Sequence, residues 1–181
     1  MKTSHITPLR VPRNEVDLEE WIFSLSDEDY RAASPQHRAA GFTRSGGVRG
    51  SINVESIGGT LIIQHYREVA ADAGGFELLS ERSRAYLFHV VPVRAEVRWT
   101  MTVESGGNGA SQLRCTVELN LSPLLSLLSA TIATPFFIRR HVRNETVGFA
   151  RDIERKHAAR QAEQGGAVPR GAAAQSIQFP A

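Results

Sequence analysis

Two stretches of the chain alternate strictly between apolar and polar positions. Over 93–104, Val93, Ala95, Val97, Trp99, Met101 and Val103 interleave with Arg94, Glu96, Arg98, Thr100, Thr102 and Glu104. Over 112–121, Leu113, Cys115, Val117, Leu119 and Leu121 interleave with Gln112, Arg114, Thr116, Glu118 and Asn120. A period of two sustained this long predicts antiparallel strands with one buried and one wet face. The SGGNG run at 105–109 is the turn between them. Upstream, 51–57 and 60–69 are rich in β-formers and are separated by Gly58-Gly59, which predicts a two-residue hairpin. That turn sets Val54 opposite Ile63 and Ile52 opposite His65. It groups Ile52, Val54, Ile63, His65 and Arg67 on one face, expected to be the apolar one. A turn at 72–75 and two further strands, 76–79 and 84–91, complete the β region.

Helical signals flank this region. Residues 1–14, with Pro8 and Pro12, read as a flexible lead-in, and the second half of 16–25 as a first strand. Ser26 precedes Asp27, Glu28 and Asp29 in a capping-box spacing, which predicts a short helix over 27–33. Ser34-Pro35 then predicts a second short helix ending near Gly41. At the other end, Ser122-Pro123 starts a helix apolar around most of its girth as far as Ala133, and Thr134-Pro135 marks a kink or restart. Beyond it, Ile138, Val142, Thr146, Phe149, Ile153 and His157 form a stripe, with Arg139, Arg140, Arg143, Arg151, Arg155 and Lys156 mostly off it. The small-residue segment 163–181 reads as a flexible tail.

Composition narrows the class. The chain has 181 residues, 41% hydrophobic and 22% charged, which suits one domain, 15–162, with a buried core. A net charge of +2, with no concentrated basic arm, argues against nucleic-acid binding. Cys115 is the only cysteine, which excludes an intrachain disulfide and fits a reducing compartment. With no apolar leader at the N-terminus, a cytoplasmic location is expected. The uncharged run 119–138 is interrupted by two prolines and several hydroxyls, so it reads as a strand end and a packed helix rather than a bilayer span. Six scattered histidines without HxH or HExxH spacing predict no metal site. No phosphate-cradling loop and no GxSxG elbow occurs, and no cofactor is expected.

The order of elements, with SINVESIGGTLIIQHY at 51–66 and LSPLLSLLSATIATPFFIRRHVRNETVGFARDIERK at 121–156, resembles the START-like, birch-pollen-allergen-like group. That group is also called the SRPBCC or polyketide cyclase/dehydrase superfamily. Neither stretch is a catalytic signature. The resemblance implies an α+β helix-grip fold: a curved antiparallel sheet of six or seven strands wrapped around a long C-terminal helix, with two short helices after the first strand. It also implies a cavity between sheet and helix for a hydrophobic small molecule such as a lipid, polyketide or aromatic compound.

Within that frame, His65 and Arg67 are the candidate polar groups for orienting a ligand, beside Ile63 and Val54. A structural histidine bonded to a neighbour is the competing reading of His65. Trp99, Met101, Cys115 and Val117 would line the sheet side, Phe137, Val142 and Phe149 the helix side, and Tyr30 the mouth. A carrier or sensor is the leading functional reading, as a monomer or homodimer. An enzyme of cyclase, aromatase or hydratase type, with His65 as acid/base, would use the same cavity. A third reading has the 123–137 segment and Arg139, Arg140 and Arg143 docking a partner or making peripheral contact with a membrane surface.

Overall fold

The computed structural model describes residues 1–106, 110–123 and 133–166. Among these, seven strands form one antiparallel sheet. They are β1 (Lys2–Leu9), β2 (His37–Ser45), β3 (Val48–Ile57), β4 (Thr60–Asp72), β5 (Gly75–Leu87), β6 (Val91–Ser105) and β7 (Ser111–Asn120). The spatial order is β1-β7-β6-β5-β4-β3-β2, so the first two strands in sequence are the two edges. Between them the chain makes two short helices, α1 (Leu18–Ser24) and α2 (Asp27–Ala33), and after β7 comes the long α3 (Thr134–Gly166). This is the expected helix-grip architecture.

Several expectations hold in detail. The Gly58-Gly59 hairpin pairs Val54 with Ile63 and Ile52 with His65, as the turn length requires. Both glycines have positive φ, +56° and +82°, the reason a two-glycine turn occurs there. Helix α2 is capped by Ser26, whose Oγ accepts the Asp29 N–H at 3.0 Å. A helix start is present at Thr134-Pro135: Ala133 has φ +57° and α3 begins at the next residue. The helix expected over 122–133 falls largely on residues outside those described, as does most of the 163–181 tail.

Four expectations change. Residues 2–9 are not a loose lead-in but edge strand β1, paired along its length with β7. Residues 18–24 are helical, not a first strand, because Leu18, Trp21, Ile22 and Leu25 recur at i, i+3, i+4 and i+7 and all are buried. Asp17 caps this helix by accepting the Glu20 N–H at 2.8 Å. The segment after Ser34-Pro35 becomes β2, because pairing with β3 outweighs a weak local helix signal. Finally, 76–79 and 84–87 belong to one strand, β5, whose register shifts between Ser80 and Ser83, while 88–90 form the turn into β6.

The core lies between the inner face of the sheet and the helices. Trp99, Met101, Leu113 and Cys115 from β6 and β7 are fully buried. Phe149 of α3 packs near the rings of Trp21, at 5.1 Å edge-on, and Trp99, at 5.7 Å. No helix among the described residues is long and apolar enough to cross a membrane.

Candidate functional site

The sheet and α3 leave a cleft near the start of the helix. It has a volume of about 50 Å3 and is walled by Ile57, Ile62, Ala85, Ala95, Leu119 and Ile138. Phe137 also lines it and rests on the β3–β4 turn, where a Cβ on Gly58 would come within 2.6 Å of the aromatic ring. A second cavity of about 20 Å3 shares Ile57, Ile62, Leu119 and Ile138 with the cleft and extends inward to Tyr66, Trp99 and Val117. Drug-sized ligands occupy pockets of roughly 300–1,000 Å3. The hollow is therefore where the fold implies it, but in this conformation it holds no more than a few waters.

The inner cavity ends on a polar floor. Glu55, Gln64, His141 and Glu145 line it. Glu55 is on the inner face of β3 and Gln64 on that of β4. His141 and Glu145 stand at i and i+4 on α3 and so share one helix face. His37, the first residue of β2, joins them. His37, Glu55, His141 and Glu145 are all buried, and one nitrogen or oxygen atom from each lies within 4.8 Å of the others.

The hydrogen bonds around this cluster are specific. The Tyr30 hydroxyl donates to Glu55 Oε1 at 2.6 Å, and the Gln64 amide donates to Glu55 Oε2 at 3.3 Å. His37 Nδ1 sits 2.5 Å from the Tyr30 carbonyl oxygen. A carbonyl only accepts, so Nδ1 carries the proton and Nε2 presents a lone pair to the cluster. The Tyr30 ring stacks on the His37 ring at 3.8 Å and 4°. His141 Nε2 lies 3.5 Å from Glu55 Oε2 and 3.4 Å from Glu145 Oε2, and His37 Nε2 lies 4.0 Å from Glu145 Oε1. His37 Nε2, His141 Nδ1 and Glu145 Oε2 are buried without a hydrogen-bond partner.

Burial dominates the protonation of His37, His141, Glu145 and Tyr30. It pulls both imidazoles down to about 4. Burial, and then the nearby Glu55 carboxylate, push the Glu145 carboxyl well above its ordinary range. The Tyr30 phenol is also raised, by burial first and then by Glu55. Such concentrated perturbation inside a cavity is a mark of functional sites.

The sequence-predicted residues divide into three groups. Trp99, Val117 and Phe137 line the cavities. Tyr30, Met101, Cys115, Val142 and Phe149 are on the inner side but packed in the core, with Tyr30 supporting Glu55. Cys115 accepts from the Trp99 indole at 3.3 Å, and burial pushes its thiol up, as for an inert cysteine. His65, Arg67, Ile63 and Val54 are on the other face: His65 is exposed, and Arg67 reaches Glu81 at 2.9 Å in solvent. The hairpin register was right and its inner face inverted, because the inner face carries Ser51, Asn53, Glu55 and Gln64. The expectation of no clustered histidines also changes, since folding brings His37 and His141 together. The signal in the sequence was the His141–Glu145 i,i+4 pair on the apolar stripe of α3.

No family model and no curated protein matches the sequence. Solved structures do match. A protein of Thermus thermophilus, TTHA0849, superposes with a TM-score of 0.62 at 13% identity, over 86% of this chain and 99% of that one. A START superfamily protein from Mycobacterium smegmatis matches at TM-score 0.48 and 11% identity, over 90% of this chain and 97% of that one. The di-domain ARO/CYC BexL from the BE-7585A biosynthetic pathway matches at 0.41 and 12%, over 90% of this chain and 46% of that one. The chain shares its fold with the Thermus thermophilus protein. At such identities the likeness concerns the fold and not the chemistry.

Proposed function

We propose that this protein binds a small hydrophobic molecule in the cleft between the sheet and α3, with the polar floor orienting one end of it. The observation that carries this reading is the adjacency of an apolar cleft to a buried cluster of histidines and carboxylates, across four wall residues that both cavities share. Apolar walls supply non-directional affinity, and a few convergent polar groups supply orientation. Uptake requires the cleft to widen, and Phe137, whose ring lies over the β3–β4 turn, is one wall residue that can move. Filling the cleft tests the idea. Ala95→Phe and Ala85→Phe each place a ring in its wall, where both alanines are buried. Each variant should lower binding of an environment-sensitive naphthalene dye at least tenfold while circular dichroism stays native. Unchanged dye binding in both folded variants would refute the cleft as the site.

The density of the floor favours a second reading, an enzyme of cyclase, aromatase or hydratase type acting in the same cleft. A carrier needs one or two polar groups, whereas four titratable side chains and Tyr30 converge here. In that reading, proton transfer falls to the floor groups rather than to His65, which faces solvent. His65→Gln leaves binding and any turnover unchanged under both readings.

A further inference from the structure

The geometry points to a divalent transition-metal site formed by His37, Glu55, His141 and Glu145. Three elements supply the donors: the start of β2, the inner face of β3 and one face of α3. Metal–ligand bonds of about 2.1 Å place donor atoms about 3.4 Å apart in a tetrahedron. His141 Nε2 has this spacing to Glu145 Oε2 and Glu55 Oε2, at 3.4 and 3.5 Å, and His37 Nε2 lies 4.0 Å from the other Glu145 oxygen, Oε1. These distances are too long for good hydrogen bonds and too short for indifference.

Charge makes the same point. Among the described residues, neither Glu55 nor Glu145 meets a lysine or arginine; their ionic contacts are all to the two histidines. A divalent cation would displace the proton that burial favours on Glu145 and would leave little net charge buried between the two carboxylates and the neutral imidazoles. His37 Nε2 and Glu145 Oε2 are buried without a hydrogen-bond partner, and a cation between them would satisfy both. Supporting contacts are also in place. His37 is fixed through Nδ1 on the Tyr30 carbonyl oxygen, and Glu55 is held by Tyr30 and Gln64. Metal-ligating histidines and carboxylates are oriented this way by outer partners. Two imidazoles and two carboxylates without thiolate suit zinc or ferrous iron rather than cuprous copper, and imidazole nitrogen disfavours calcium or magnesium. The proposal does not depend on what fills the apolar cleft. A bound ion would nevertheless face that cleft across the inner cavity.

The test uses the full chain stripped with a chelator. Calorimetric titration with Zn2+ should show one saturable site per chain and a rise in thermal midpoint. Co2+ should give the intense visible bands of a low-coordinate nitrogen–oxygen site. Glu145→Gln and His37→Gln should each weaken Zn2+ at least about tenfold, whereas His65→Gln on the outer face should not. No saturable Zn2+ uptake, or uptake that both folded cluster variants leave intact, would overturn the proposal. Should either variant fail to fold, the wild-type Co2+ spectrum decides, and its absence is equally fatal. Loss of dye binding in the cleft-filling variants with Zn2+ uptake retained would separate this site from the ligand reading.

Discussion

Trp21 ties α1 to α3 through one buried hydrogen bond, its indole N–H donating to Asp152 Oδ2 at 2.8 Å. Asp152 also meets Lys156 at 3.0 Å and Arg155. Trp21→Phe keeps an aromatic ring against Phe149 but removes the donor to a buried carboxylate, so it should destabilise the protein by about 1.5–3 kcal/mol. Urea denaturation reads this directly, and a change below about 0.5 kcal/mol would contradict the assignment. Glu68 makes a second residue-level case. The Arg49 guanidinium bonded to it, at 2.6 and 2.7 Å, holds its carboxyl below the ordinary value. A carboxyl depressed in the folded state contributes stability above its unfolded pKa of about 4.5 and loses it as pH falls through the folded value. Glu68→Gln should therefore narrow the stability gap between pH 7 and pH 3, by about 1 kcal/mol or less for a pair this near the surface. At this scale the sequence was least transparent. Hydrophobicity put His65 inward and Glu55 outward, and the structure reverses them, because Glu55 gains Tyr30 and Gln64 as partners that only the fold provides.

At the scale of elements, legibility followed the strength of local rules. A two-glycine turn determines pairing geometrically, so the β3–β4 register could be read residue by residue. The inner face could not, since it depends on the cluster built by β2 and α3. Helix α1 was readable in principle: Leu18, Trp21, Ile22 and Leu25 have helical spacing behind an Asp17 cap, but the aromatic and β-branched content of the segment suggests a strand. One helix contact was not visible at all. Gly148 lies so close to α2 that an added Cβ would collide with the Ala33 carbonyl oxygen and Cα. The obstacle is backbone and cannot rotate away. Gly148→Ala should therefore cost about 1–3 kcal/mol despite its higher helix propensity, and it should disturb the Tyr30–His37 stack that α2 carries. A folded variant with a higher thermal midpoint would show that the two helices can separate freely.

For the molecule as a whole, β1 matters more than its position in the sequence suggests. It covers the outer edge of β7, packs under α3 and buries Leu9. Deleting residues 1–9 should expose that edge, lower the thermal midpoint sharply and promote self-association, measurable by calorimetry and light scattering. A monomeric truncation of native stability would return this segment to the status of a lead-in. The overall architecture was readable because alternating strands followed by one long amphipathic helix admit few packings. The near-filled interior was not readable, because it depends on side chains meeting across elements distant in sequence, such as Phe137 of α3 over the β3–β4 turn.

That side chain sets a timescale. Phe137 lines the cleft, partly solvent-facing, with its ring over Gly58. Aromatic rotamer changes at a surface take picoseconds to nanoseconds, whereas lifting a helix or hinging a domain takes microseconds or longer. Slender guests should hence associate at rates near those of a permanently open pocket, while bulky guests should show a slow, saturating phase. Stopped-flow traces for a thin and a wide fluorophore would display that contrast, and Phe137→Ala should leave the thin one's kinetics nearly unaltered.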